Sequence, residues 1–422
     1  MFGLVRMWVH GLLAVAVWVA AGLLLREWAD RLPTPPGRWR TGYQIPLSPP
    51  ADQSVPIEIP PEPFPFRERL AAWRPDLDVS TALFAGGSLL TLVGLGGGRA
   101  FWWLRLDHGR GRRPEDPRHD RSPEARRLKR ADGTELHVEF SGPADGPLVV
   151  LTHGWGACAT EWYYLRRHQP DCRFVAWDLP GLGRSASPRD KDFSLDRLAD
   201  DLRTVLRDCG RPAVLVGHSI GGMITLHYCK RFPDEAAGQA GLVLVHTSPT
   251  NPLRMTEKRW LAAPLQKPVV EPLAYLMIAF APVVWLMNLL SYLNGSLHRS
   301  NHKQLFAGTE TWGQLEFVSR FVPFVWPATY ARGLLGMFRW DATDALPAVR
   351  VPTLVVAAAG DRITLPEASR LIADRVPAAR LVTLAPAGHM GLIERHAEFG
   401  RLVGGFVREV APVPAGAAGR PA

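Results

Sequence analysis

Three polar side chains that together could carry out acyl transfer follow three separate apolar runs of the chain. Ser219 stands in the segment Gly-His-Ser-Ile-Gly-Gly, Asp361 in Gly-Asp-Arg and His389 in Gly-His-Met. A serine hydroxyl is a weak nucleophile that needs a base, and the base needs a carboxylate that fixes its tautomer. The sequence therefore predicts Ser219 as nucleophile, His389 as general base and Asp361 as the orienting carboxylate.

The surroundings of Ser219 are typical of a nucleophile on a sharp turn. Gly217, Ser219 and Gly221 form the pattern G-x-S-x-G between an apolar run and a predicted helix over 220–231. The glycines permit a tight strand-to-helix turn that lifts the hydroxyl into the open, and the helix N-terminus favours negative charge. The chain order serine, aspartate, histidine is the order that hydrolases built around this turn use.

Other histidines and acids compete for the roles of base and orienting group: His153, His218, His246, Asp341 and Asp344. The histidine beside the serine must point away from it, and the first histidine begins a Gly-rich turn. The two acids precede an apolar run, so they would lie at the wrong end of that strand. We therefore expect His389 and Asp361 to take the two roles.

An acyl-transfer site also needs donors for the oxyanion that forms during attack. The backbone N–H of Ile220, directly after the nucleophile, is one candidate. The second should come from the loop after the first apolar run, where Trp155 follows His153 and Gly154. The indole of Trp155 could also form a wall of the pocket.

The elements that must position these groups are six short apolar runs: 148–151, 174–177, 213–216, 242–245, 353–356 and 381–384. Each run is rich in β-branched residues and does not alternate, as is typical of buried parallel strands. Amphipathic stretches at 195–206 and 394–410 fit crossover helices. The sequence thus predicts an α/β fold with a doubly wound, mostly parallel sheet, whose ligands bind beyond the carboxyl ends of the strands.

Five motifs carry a resemblance to a known family: His153-Gly154-Trp155-Gly156, Asp178-Leu179-Pro180-Gly181-Leu182-Gly183-Arg184-Ser185, Gly217-His218-Ser219-Ile220-Gly221-Gly222, Gly360-Asp361 and Gly388-His389. They resemble the α/β-hydrolase superfamily, in its esterase- and lipase-like branch, over about residues 134–411. The resemblance implies the triad assigned above, a helical cap inserted after the sixth strand, and no metal or organic cofactor. The serine at the turn differs from the aspartate of dehalogenases and epoxide hydrolases.

The cap is expected at 249–345, where no strand pattern occurs. Within it, 273–293 is free of charged residues but contains Pro282. A single membrane crossing there would put Ser219 and Asp361 on opposite sides of the bilayer. Two interpretations stay open, namely packing against the sheet and a lid that dips into the membrane to admit lipophilic substrate.

Two further uncharged runs precede the hydrolase-like region, at 7–25 and 79–98. At 1.5 Å per residue, each is about as long as a bilayer core is thick. They predict a membrane hairpin over residues 1–104 with a proline-rich loop, 26–78, between the spans. A cleaved signal peptide and a glycine-rich soluble loop are the respective alternatives.

The arginines indicate the orientation of this hairpin. The loop 26–78 has seven Arg and eight acids, whereas arginine crowds the start of the following linker, 105–133. The positive-inside rule then places the catalytic domain on the cytoplasmic side of the cell membrane. The net charge of +9 could also suit nucleic acid, but arginine directly after a span favours lipid headgroups. Residues 412–422 are expected to be a flexible tail.

Composition narrows the class of protein further. With 47% apolar and 21% charged residues the chain is not disordered as a whole, and its four cysteines show neither a zinc pattern nor a disulfide framework. We expect a membrane-anchored serine hydrolase that cleaves lipophilic carboxylic esters, with ester substrates and membrane lipids as partners and no nucleic acid. An acyltransferase, a cofactor-free peroxidase and a non-catalytic scaffold are the alternatives.

Overall fold

The computed structural model of the chain describes residues 2–32, 79–107, 114–377 and 379–411. The chain divides into two compact units: Met1–Ala14 with Gly96–Ala422, and Val15–Leu95. Three predicted segments lie wholly or partly outside the described residues: the proline-rich loop 26–78, the basic linker 105–133 and the tail 412–422.

A mixed sheet forms the centre of the larger unit. Its strands are β1 Ala125–Lys129, β2 Glu135–Ser141, β3 Leu148–Thr152, β4 Arg173–Trp177, β5 Val214–His218, β6 Gly241–Val245, β7 Thr353–Ala358 and β8 Ala379–Leu384. The spatial order is β1-β2-β4-β3-β5-β6-β7-β8. Strand β2 pairs antiparallel with both neighbours, and all pairings from β4 to β8 are parallel. The predicted mostly parallel sheet is confirmed, and the six apolar runs coincide with β3 to β8.

The sheet starts earlier in the chain than the sequence indicates. Strand β1 lies inside the predicted linker and carries two arginines and a lysine in five residues. It can do so because it is an edge strand with four of its five residues exposed, so that it needs no apolar pattern. The sheet therefore begins at Ala125 rather than near Thr134.

Helices cover both faces of the sheet. All helices of the described part of the chain, including those that do not lie on the sheet, are α1 Phe2–Asp30, α2 Val79–Leu92, α3 Gly98–Asp107, α4 Tyr163–His168, α5 Leu195–Cys209, α6 Ile220–Arg231, α7 Pro233–Ala237, α8 Arg259–Ala262, α9 Glu271–Ala279, α10 Ala281–Leu293, α11 Ser296–Leu305, α12 Trp312–Ser319, α13 Pro327–Phe338, α14 Pro366–Arg375, α15 Gly391–Glu394 and α16 His396–Val410. Shorter helical turns are Val93–Gly97, Ala159–Trp162, Pro252–Arg254, Gln266–Val270, Val322–Phe324 and Thr343–Ala348.

Alternate residues of the central strands point into two separate cores. Val150 and Leu215 pack with α5, α6 and α14 on one face. Leu151 and Val216 pack with α4, α12 and α16 on the other. Because both faces are covered, the strands are apolar along their whole length, which is why they were visible in the sequence.

The insert between β6 and β7 consists of helices and turns, apart from an isolated bridge between Thr250 and Asp341. The apolar run 273–293 is not one helix. It is divided at Phe280 into α9 and α10, and the helical segments on either side of the break, 266–279 and 281–293, meet at an angle of 95°. The predicted helical character of this segment agrees with the structure.

Helix α3 packs directly on the insert. A Cβ atom on Gly98 would lie 2.0 Å from the carbonyl oxygen of Asn294, and one on Gly295 would lie 2.2 Å from the backbone of Gly98. Arg99 Nη2 donates to Glu316 Oε1 over 2.8 Å, and the same oxygen accepts from the Tyr292 hydroxyl. The two glycines thus allow the backbones of α3 and the insert to touch, and the ion pair between Arg99 and Glu316 holds α3 on the insert.

In the smaller unit, glycines of α2 and of the turn that follows it face large side chains of α1. A Cβ on Gly87 would meet Leu25 at 2.7 Å, and one on Gly94 would meet the Trp18 ring at 3.1 Å. Among the described residues, one helical stretch, Val79–Leu106, has the length and hydropathy of a membrane span. The second predicted span therefore agrees with the structure by length and composition, whereas the two-span hairpin stays a prediction.

The contact between α3 and the insert can be tested by adding one methyl group. We expect Gly98→Ala to lower the free energy of unfolding by about 1–3 kcal/mol, because its Cβ would overlap the Asn294 carbonyl. Chemical denaturation of the full chain in detergent measures this. Gly405→Ala is the matched control, since no atom lies within 4 Å of its added Cβ in α16, and it should stabilise by about 0.5–1 kcal/mol. Equal effects of the two variants would contradict the contact.

Candidate active site

The turn between β5 and α6 holds Ser219 in a conformation that side chains rarely adopt, with φ at 53°. Its neighbours make this possible. A Cβ on Gly217 would lie 2.4 Å from the backbone of Gly221, and a Cβ on Gly221 would lie 2.1 Å from the Thr152 carbonyl oxygen. Both positions therefore require glycine, and the serine is held partly exposed at the carboxyl edge of the sheet.

The structure brings the three predicted side chains together. His389 Nε2 lies 3.1 Å from Ser219 Oγ, and His389 Nδ1 lies 2.8 Å from Asp361 Oδ2. Asp361 and His389 come from the loops after β7 and β8, so the ends of β5, β7 and β8 at one edge of the sheet supply the site. Because Asp361 accepts a hydrogen bond from Nδ1–H, the other ring nitrogen, Nε2, can accept a proton from the serine.

The carboxylate of Asp361 is fixed by more than the imidazole. Its Oδ1 accepts from the amides of Ile363 at 2.8 Å and Thr364 at 3.0 Å. The side chain is only 2% exposed. Burial alone would raise the pKa of Asp361, but the charge and hydrogen bond of His389 outweigh burial and lower that pKa. The group is therefore ionised and rigidly placed.

The two amides predicted for the oxyanion lie on adjoining loops. Gly154 is packed on the ring of His218, directly before the serine, since its Cβ would be 2.8 Å from Nδ1. Within the described residues, neither the N–H of Trp155 nor that of Ile220 has a hydrogen-bond acceptor. Unpaired backbone donors beside a nucleophile are what an oxyanion site provides.

The indole of Trp155 is bound to the insert. Its Nε1 donates to the carbonyl oxygen of Tyr330 at 2.9 Å, and its ring packs edge-on against Phe193. A Cβ on Gly333 would lie 1.9 Å from the ring. Helix α13 therefore lies over the loop that carries the Trp155 amide, and the indole connects that loop to the insert.

The side chains that competed with His389 and Asp361 in the sequence have other contacts. His153 accepts from the Leu179 amide through Nε2, and burial lowers its pKa. His246 Nδ1 lies 3.0 Å from the carbonyl oxygen of His389, and burial lowers its pKa to about 3. Asp341 accepts from Thr250 in the insert. None of them contacts Ser219 Oγ among the described hydrogen bonds, and His218 points away from the serine, as expected.

One buried residue at the site was missed in the sequence. Glu161 Oε2 accepts from the Gly154 amide at 2.9 Å, and its Oε1 lies 3.0 Å from His218 Nδ1. His218 Nε2 in turn donates to the carbonyl oxygen of His389 over 3.1 Å. The pair thus links the loop before Trp155 to the loop of the base. Its only signal in the sequence is a single acid in an otherwise uncharged stretch, 154–165.

The environment of this pair favours the charged forms. Burial alone would lower the pKa of His218, but the Glu161 carboxylate outweighs burial and raises it. Burial alone would raise the pKa of Glu161, but the charge and hydrogen bond of His218 outweigh burial and lower it. Both shifts indicate a buried ion pair behind the nucleophile. Within the described residues, no three His, Cys, Asp or Glu side chains are grouped so that they could hold a metal ion.

Comparison with known proteins gives one family. The sequence profile of the alpha/beta hydrolase family matches residues 149–402, more than half of the chain. A candidate carbamate hydrolase, RutD, of Variovorax paradoxus is 28% identical over 287 residues, which are 65% of this chain and 97% of the relative. A pimeloyl-[acyl-carrier protein] methyl ester esterase of Vibrio parahaemolyticus is 26% identical over 65% of this chain and 99% of its own length.

Solved structures show the same architecture. The esterase EaEST of Exiguobacterium antarcticum superposes with a TM-score of 0.56 over 67% of this chain and 98% of its own, at 20% sequence identity. At this identity the likeness concerns the fold.

The Glu161–His218 pair predicts a pH-dependent loss of stability. We expect Glu161→Gln to lower the free energy of unfolding by about 1–3 kcal/mol, because a hydrogen bond between charged groups is lost. The raised pKa of His218 makes its contribution complete below about pH 6.5 and lost as pH rises through the folded value. The lowered pKa of Glu161 makes its contribution complete above about pH 4.5 and lost at lower pH. Denaturation at several pH values should therefore show the largest difference between pH 4.5 and 6.5.

Glu398→Gln is the control for this measurement. Glu398 pairs with Arg395 on a partly exposed helix surface, so its loss should change stability by less than about 0.5 kcal/mol at any pH. A difference for Glu161→Gln that does not vary with pH would contradict the ion pair and leave a neutral hydrogen bond.

Proposed function

Because the chain belongs to the alpha/beta hydrolase family, we propose that it is a membrane-anchored serine hydrolase that cleaves carboxylic esters through an acyl-enzyme. One observation carries the proposal. His389 lies between Ser219 and Asp361 at hydrogen-bonding distance from both, and Asp361 is held by two backbone amides. A scaffold without catalysis would not need to keep an ionised carboxylate, an imidazole and a partly exposed hydroxyl in this order.

In the first half of the reaction, Ser219 Oγ attacks the ester carbonyl carbon while its proton passes to His389 Nε2. The electron pair of the carbonyl moves to oxygen, where the amides of Trp155 and Ile220 donate to it. Asp361 stabilises the imidazolium that forms and keeps Nδ1 protonated throughout. The distances of 3.1 Å and 2.8 Å on the two sides of the ring support this path for the proton.

The intermediate then collapses. The bond between the carbonyl carbon and the alcohol oxygen breaks, and the leaving oxygen takes the proton from His389 Nε2. The acyl group remains on Ser219. A water molecule then attacks the acyl carbon and gives one proton to the same nitrogen; the bond to Ser219 Oγ breaks, Oγ takes that proton, and the carboxylic acid leaves. Every proton that moves is thus carried by one imidazole, which returns to its starting state.

Relatives support an ester as substrate, and the insert supports a lipophilic one. The relatives of this chain include a methyl ester esterase and an esterase of known structure. The helix that covers the Trp155 loop belongs to an insert whose helices α9 and α10 are mostly apolar, with Glu271 as their one charged residue. We therefore favour small-molecule or lipid esters with an apolar acyl chain.

Anchoring in the cell membrane is the second part of the proposal. It is supported by the helical stretch Val79–Leu106 and by the uncharged run inside α1, at 7–25. Arginines after the second run favour a catalytic domain on the cytoplasmic side.

Removal of the nucleophile tests the catalytic part. We expect Ser219→Ala to lower kcat for p-nitrophenyl esters by about 10⁴-fold or more, because the triad acts as a unit. A panel of acyl chain lengths measured with both proteins gives the chain-length preference at the same time. Ser300→Ala is the control, since Ser300 lies on α11 and contacts only Gln304 among the described hydrogen bonds. A fluorophosphonate should label this control and the unaltered chain but not Ser219→Ala; full activity without Ser219 would refute the mechanism.

The orientation is tested by reporter fusions to the full chain. Alkaline phosphatase inserted near Pro50 should be active, because it would lie outside the cytoplasm, and the same enzyme at the carboxyl terminus should be inactive. The opposite pattern would show a catalytic domain on the outer side. Activity at both positions would contradict the two-span hairpin.

A further inference from the structure

The insert has an apolar surface on the side that faces away from its core. We call it the outer insert surface; it consists of Tyr275, Leu276, Phe280, Val283, Trp285 and Leu286 on and between α9 and α10. Phe280, Val283 and Leu286 are 52%, 53% and 47% exposed. Exposed large apolar side chains grouped in this way are typical of a surface that contacts a partner or a membrane.

The opposite side of the same helices is apolar as well. Met277 and Val284 are buried in a cluster with Ala331 and Phe338. A helix at the surface of a soluble domain pairs a buried apolar face with a polar face. Apart from Glu271, Asn288 and Ser291, helices α9 and α10 have mostly apolar residues on both faces, so packing against the rest of the domain does not explain the apolar residues of the outer face.

The surface continues beyond the two helices. Trp285 Nε1 donates to the carbonyl oxygen of Pro323 at 3.0 Å, in the turn that precedes α13. The adjacent Phe324 and Trp326 are also exposed. Tryptophan and tyrosine at the border of an apolar patch are typical of the boundary between hydrocarbon and headgroups.

The geometry of the pair is unsuited to a straight crossing of the bilayer. The two arms meet at 95°, and the longer helix, α10, has 13 residues. A helix of this length is about 20 Å long, whereas a bilayer core is about 30 Å thick. A bent apolar pair of this size can lie in the interface with its outer side among the acyl chains.

Charges at the start of the pair suit anionic headgroups. A cleft of about 640 Å³ at the start of α9 is lined by the exposed cations Arg254, Lys267 and Arg339, and by one carboxylate, Glu271. An acidic lipid surface would attract this excess of positive charge beside an apolar surface.

The chain itself brings the insert to the membrane. Gly98, the last residue of the uncharged run 79–98, packs on Asn294 and Gly295, the two residues that follow α10. If that run is in the bilayer, the end of α10 lies where the chain leaves it. Helix α3 also has exposed apolar residues, Phe101 and Leu104.

We propose that the outer insert surface lies in the lipid interface and delivers ester substrates from the bilayer to Ser219. The inference rests on the membrane anchoring proposed above. One helix connects the outer insert surface to the active site, because α13 follows the turn at Phe324 and packs on the Trp155 loop. The occupant is the acyl region of an anionic bilayer, and a second copy of the chain or another protein is the alternative that the experiment must exclude.

The test places an environment-sensitive fluorophore on single cysteines in the full chain. Cys209, which is partly exposed, is first replaced by serine; the other cysteines are buried. One label replaces Val283 in the outer insert surface, one replaces Leu89 in the uncharged run, and one replaces Glu367 on exposed helix α14 as control. Each protein is reconstituted into vesicles of phosphatidylcholine and phosphatidylglycerol, with and without lipids that carry a quencher on the acyl chain.

We expect the label at position 283 to emit at shorter wavelength in vesicles and to lose at least about half of its intensity to the acyl-chain quencher, whereas the label at 367 stays unquenched. An unquenched label at 283 overturns the proposal. If it shifts without being quenched, a second copy or another protein covers the surface instead. The label at 89 reports separately on anchoring, so that a failure of anchoring and a failure of the lid contact can be told apart.

Charged residues in the surface give a second readout. We expect Val283→Asp with Leu286→Asp to lower turnover of long-chain esters held in vesicles at least about tenfold, because two carboxylates resist entry into hydrocarbon. Turnover of a short soluble ester should change less than about twofold, since both side chains are about half exposed and the catalytic side chains are not altered. Ser219→Ala abolishes both activities if the proposed catalysis is right, so loss of the vesicle substrate alone is specific to the lid. Equal loss of both substrates in the charged variant would overturn delivery through this surface.

Discussion

The closest backbone approach in the active site is between the turn at Ser219 and the end of β3. Gly221 lies against the Thr152 carbonyl with no room for a Cβ atom, and Gly217 lies equally close to the first turn of α6. This contact puts the nucleophile beside the loop of Trp155. It also starts α6 directly after the serine, so that the positive end of the helix dipole lies beside the nucleophile. Asp361 and His389 reach the serine from the ends of β7 and β8 at the same edge of the sheet.

Much of this arrangement could be predicted because burial leaves a strong pattern. Strands β3 to β8 are parallel and mostly covered on both sides, so they are continuous apolar runs, and the groups that follow them must share one edge. Ser219, Asp361 and His389 could therefore be placed relative to one another from their positions after such runs. The turn at Ser219 could also be predicted, because the close approach of backbones there requires glycine at positions 217 and 221.

Other features left no such pattern. Strand β1 is an exposed edge, so its basic residues resembled a linker. Glu161 is one acid in an uncharged segment, and its partner could be found only when the fold brought His218 to it. The apolar run of the insert was visible, but its bend at Phe280 and the division between buried Val284 and exposed Val283 depend on packing with α13. Sequence shows that a residue is apolar and does not show what covers it.

The carbonyl oxygen of His389 accepts from two rings, those of His218 and His246. The main chain of residue 389 thus holds the loop in place through its carbonyl oxygen, while the imidazole of the same residue contacts Asp361 and Ser219. Different atoms of one residue therefore position the loop and transfer the proton. In evolutionary terms, the chemistry at this position could be exchanged or lost while the loop kept its shape, which gives a route by which one such scaffold can host different reactions.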